Sequence, residues 1–155
     1  MIKNYMELDG DGIWLPEDWH NIKDYTHVNG VFKPRNGITA IRWEGCRGDV
    51  EKLYDTHVVS KVSEDRLFVA VIETRFVRKD TLTVYSEEGF EYFEITVPKV
   101  GENSLKKSSK FYSLEMPSSK TWTVCFYDGH DEYQGDICIE QKGNVEVKNI
   151  VKTRF

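Results

Sequence analysis

Residues 67–77 alternate so that Leu67, Val69 and Val71 fall on one face of an extended chain while Phe68, Ala70 and Ile72 fall on the other. Side chains of a strand point to its two faces in turn, so a run apolar on both faces predicts a central strand. Its neighbours alternate more cleanly. Residues 81–85 place Leu82 and Val84 on one face, and 90–97 set Phe93, Ile95 and Val97 against Tyr92, Glu94 and Thr96. In 121–127, Trp122, Val124 and Phe126 oppose Thr121, Thr123, Cys125 and Tyr127. Further strands are predicted over 37–43, 56–62, 111–116, 136–140 and 144–151, with Tyr112, Leu114 and Met116 sharing a face of the third of these. Turn chemistry separates them: Arg78-Lys79-Asp80, Ser86-Glu87-Glu88-Gly89, a polar loop over 98–110, Pro117-Ser118-Ser119-Lys120 and Gln141-Lys142-Gly143.

This spacing predicts an all-β fold with minor helix, an antiparallel sandwich or barrel of about eight to nine strands. No period repeats along the chain, which argues against a propeller or solenoid. Helix is expected in two short places. Residues 16–23 have Pro16 where a first turn tolerates it, acids beside it, and Trp19 and Ile22 three apart; residues 49–54 would be one or two turns capped by Asp49. Residues 1–36 read as an irregular arm carrying the first helix and packed on a β domain of residues 37–155, the whole forming one domain.

At 155 residues the chain is long enough for one core and too short for two ordinary domains. With 39% hydrophobic, 13% aromatic and 30% charged residues, it is excluded from the disordered and collagen-like classes, and the aromatics favour strands. A net charge of −5 gives little general attraction to phosphate backbones, so nucleic acid is not expected as a partner. No apolar run approaches a membrane-spanning length and the first residues do not resemble a signal peptide, so neither a membrane nor export is expected. The cysteines, Cys46, Cys125 and Cys138, are odd in number and lack C-x-x-C spacing, which predicts free thiols and a cytoplasmic protein.

Candidate chemistry is sparse. Asp9-Gly10-Asp11-Gly12 has closely spaced carboxylates, but Leu15 and Pro16 interrupt any calcium loop, and an acidic turn is the simpler reading. No histidine pair has metal-ligand spacing, and no phosphate loop, G-x-S-x-G or dinucleotide fingerprint occurs, so no cofactor or metal is expected. Cys46, flanked by glycines and beside Arg47, could be an activated thiol. His130 lies among acids and aromatics in Tyr127-Asp128-Gly129-His130-Asp131-Glu132-Tyr133.

Aromatics with carboxylates nearby recur in 14–25 and 127–133. Large rings anchor protein interfaces and acids steer association with a basic partner. The expected binding residues are therefore Trp14, Trp19, His20, Tyr127, Asp128, His130, Asp131 and Tyr133, with no catalytic residue assigned. The leading expectation is a small acidic protein that occupies a protein partner with a basic surface, as immunity proteins and phage-encoded inhibitors do. An enzyme built around Cys46 or the His130 loop, and a ligand or carbohydrate module with stacked aromatics, are the alternatives. Oligomeric state is left open.

Overall fold

The computed structural model describes residues 1–17, 37–73, 81–101, 109–118, 121–139 and 145–153. Among these the protein is all-β, with eleven strands and no helix: β1 Lys3–Leu8, β2 Trp14–Pro16, β3 Ile38–Gly45, β4 Gly48–Val62, β5 Phe68–Glu73, β6 Thr81–Ser86, β7 Glu91–Thr96, β8 Lys110–Ser118, β9 Thr121–Tyr127, β10 Glu132–Ile139 and β11 Val145–Lys152. Every pairing is antiparallel. A seven-stranded sheet runs in the order β2-β1-β3-β4-β5-β6-β7 and a four-stranded sheet in the order β11-β10-β9-β8, so neither closes into a barrel.

Strand β5 shows how the two-faced pattern works. Ala70 and Ile72 join a cluster with Leu82 and Val84 of β6 and with Phe111, Leu114, Trp122, Val124, Phe126, Tyr133 and Ile137 of the smaller sheet. Val69 and Val71 join a second cluster, with Ile2, Tyr5, Leu15, Ile38, Ile41, Trp43, Val58 and Val62, drawn from the larger sheet and the residue that precedes it. A flat sheet cannot bury its own face, so the larger sheet curls around this second cluster. Ile2 bridges the curl: its amide donates to the Arg66 carbonyl at 2.8 Å and its carbonyl accepts from Arg66 Nε at 3.0 Å. The Tyr5 hydroxyl also donates to Ser60 of β4, two strands away in the sheet.

Four local expectations are corrected. Residues 1–17 are not an irregular arm, because β1 pairs β3 and β2 pairs β1, extending the sheet by two strands. Pro16 closes β2 and does not open a helix; the remainder of that expected helix lies outside the described residues. Residues 49–54 belong to β4, a strand of fifteen residues. There Val50, Lys52 and Tyr54 are half-buried between exposed Asp49, Glu51, Leu53 and Asp55, which is a period of two. In β8 a bulge between Phe111 and Ser113 shifts the faces, so the fully buried pair is Phe111 and Leu114, with Tyr112 only half-buried.

Candidate functional site

The four-stranded sheet covers only part of its partner. β8 touches β4, β5 and β6, and β11 touches β7, whereas no comparable contact reaches β1, β2 or β3 among the described residues. The face that carries Val59 and Ile72 into the core therefore continues onto β2, β1, β3 and the first half of β4 without a covering layer among the described residues. Cross-strand register orders its side chains into rows. Trp14 pairs Leu8, Leu8 pairs Ala40 and Ala40 pairs Leu53, giving an apolar row that ends in a leucine 73% exposed. The next row runs Pro16, Met6, Arg42, Glu51, and Glu44 pairs Asp49 beyond it.

Arg42 ties these rows together. Its guanidinium lies 4.2 Å from the centre of the Trp14 ring and donates to Met6 Sδ at 3.4 Å. Beside it is a groove of about 530 Å³ lined by Asn4, Met6, Arg42, Glu44, Asp49 and Glu51 among others. Glu44, Asp49, Glu51 and Asp55 are all exposed on this face. Among the described residues none of the four has an ion-pair or hydrogen-bonding side-chain partner.

The opposite face of the larger sheet has a smaller polar cleft of about 270 Å³, where Glu91 and Glu94 approach Thr81 and Thr83. At its side the Tyr54 hydroxyl donates to the Tyr85 hydroxyl at 3.2 Å, and Lys52 Nζ lies 4.8 Å from the centre of the Tyr85 ring. Burial, then the bond to Tyr85, hold the Tyr54 hydroxyl well above its ordinary range, so it stays neutral.

The expected binding residues do not converge. Trp14 lies on the uncovered face, and Trp19 and His20 lie outside the described residues. The others form the β9–β10 hairpin of the smaller sheet. Asp128 is buried and holds the turn, its Oδ1 accepting from the amides of His130 and Asp131 at 2.8 Å each. The Tyr127 hydroxyl donates to the Gly129 carbonyl at 3.1 Å, and Asp131 pairs with Lys152 at 3.3 Å. The Tyr133 ring is a core group stacked on Phe126, leaving His130 as the exposed side chain of the set. Asp9 has a similar structural role between β1 and β2: its Oδ1 accepts from the amides of Asp11 and Ile13 at 2.9 Å each.

Cys46 departs from the activated thiol considered above. Its Sγ donates to Glu88 Oε1 at 3.1 Å, and that bond, more than any other influence, pushes the thiol up and outweighs the pull of Arg47. Arg42 and Leu53 were missed by sequence reasoning. Leu53 was hidden in a segment read as helix, and the approach of Arg42 to Trp14 depends on the pairing of Met6 with Arg42, a contact between distant segments.

The architecture is a curled antiparallel sheet partly covered by a smaller one, with the β2-β1-β3 end of one face uncovered among the described residues. No protein-family model matches the sequence, and no curated protein is significantly similar to it. Among solved structures the fold is similar to that of a chain in the structure of Tne2 in complex with Tni2, at a TM-score of 0.73 and 17% identity, over 99% of this chain and 100% of that one. That neighbour was solved as a complex of two proteins.

Proposed function

We propose that this chain is a protein-binding module that works by occupying a protein partner, in the manner of immunity proteins and phage-encoded inhibitors. The observation that carries the reading is the end-to-end likeness of its fold to a chain from a two-protein complex, with neither chain having a large segment to spare. Two features of the protein support it. An uncovered sheet face joins a preset Trp14–Arg42 stack to an exposed leucine, and Trp and Arg are the residues that most often dominate binding energy at interfaces. Cys46, the best thiol candidate for an enzyme, is held toward its protonated, less nucleophilic form. None of the three cysteines is in a disulfide, which suits the reducing cytoplasm.

The test is co-expression with the product of the neighbouring gene, the natural source of a partner for an inhibitor of this kind. Elution as one stable complex, with loss of the partner's own activity, is expected. Absence of a complex together with turnover of metabolites by this chain alone would reassign it as an enzyme.

A further inference from the structure

We propose that the uncovered face of β2, β1, β3 and the first half of β4 is the docking surface, and that its occupant is a different protein presenting basic side chains around an apolar centre. This inference rests on the partner-binding reading and adds to it the place and chemistry of contact. The bare face is continuous with one that the smaller sheet covers, so a partner seated here would extend an existing second layer. It would bury Leu53 and the Trp14 ring, which the chain leaves to solvent in whole or in part.

Charge selects the occupant. Glu44, Asp49, Glu51 and Asp55 outnumber Arg42 and Lys3 on and around this face, and Arg42 is already committed to Trp14 and Met6. A two-fold pairing of this surface with itself would bring the four carboxylates of one copy toward those of the other, between molecules each carrying −5. A second copy is thereby disfavoured. Lysines or arginines from a partner would instead meet carboxylates that have no competing side-chain partner among the described residues. Because Arg42 is stacked before binding, little ordering entropy is lost there on docking.

The experiment uses the complex formed with the neighbouring gene product. Leu53→Arg and the double change Asp49→Lys, Glu51→Lys are each expected to weaken binding by about tenfold or more, as loss of an interface anchor does. Glu94→Lys, on the opposite face, should leave affinity unchanged. Equal affinity for all the variants would overturn the docking face while leaving the partner-binding reading intact. If the unaltered chain forms no complex, that reading fails, and a hexa-arginine peptide followed by amide NMR still tests the surface. Shifts concentrated in Arg42–Asp55 would support it, and shifts concentrated in Asp128–Glu132 or Glu91–Glu94 would overturn it. Sedimentation completes the test: a dimer that Leu53→Arg dissociates would assign the face to self-association and overturn the proposal.

Discussion

A hydrogen bond changes the chemistry of Cys46 more than its charged neighbour does. Arg47 favours the thiolate, but Glu88 accepts the thiol proton and so favours the neutral form. Glu88→Ala removes that acceptor while Arg47 remains, so alkylation of Cys46 by iodoacetamide at mildly alkaline pH should become faster; an unchanged or slower rate would show that Glu88 does not control it. Two tyrosines make the corresponding case for pH. Burial holds the hydroxyls of Tyr5 and Tyr54 above the ordinary tyrosine value, so the folded state favours their protonated forms more than the unfolded state does. The stability this gives is complete below about pH 10 and is lost as pH rises beyond it. Urea midpoints between about pH 8 and about pH 11 should therefore fall at the alkaline end, and Tyr54→Phe should flatten the fall.

At the level of the element, an acidic hairpin that looks like a binding loop is in large part a structural device. Asp128 follows β9 and satisfies two amides of the turn, so Asp128→Ala should cost about 1–3 kcal/mol in chemical denaturation. Asp128→Asn keeps an acceptor there and should lose less. The same contrast separates what the sequence could reveal from what it could not. Strands β5, β6, β7 and β9 were legible because their apolar residues repeat every second position and need no knowledge of a partner. β1, β2 and the first half of β4 were not, because their inward residues are few, mixed or half-buried, and their strand character comes from cross-strand pairing, of β1 and β4 with β3 and of β2 with β1. Trp14 could be singled out as an aromatic that no strand pattern explained. Its companions Arg42 and Leu53 could not, since only cross-strand register brings them onto one face. The bulge in β8 is the same kind of failure on a smaller scale, one extra residue turning Phe111 inward where strict alternation selects Tyr112.

At the scale of the whole molecule, the described residues form two hydrophobic clusters, and how these are joined decides how the protein unfolds. One lies between the sheets around Trp122, the other inside the curl of the larger sheet around Trp43, and both of these rings are 1% exposed. β5 supplies Ala70 and Ile72 to the first and Val69 and Val71 to the second, so losing that strand opens both at once. Ile72→Ala, although confined to the first cluster, should cost about 2–5 kcal/mol and lower the stability of the second equally. The expectation is one cooperative transition. Uniform labelling with 5-fluorotryptophan gives Trp43 and Trp122 separate fluorine resonances in the same sample. Their native signals should disappear at a common urea midpoint, and Ile72→Ala should move both by the same amount. Two midpoints, or a shift confined to Trp122, would mean that the curled sheet holds its own core without the smaller sheet and that β5 does not couple them.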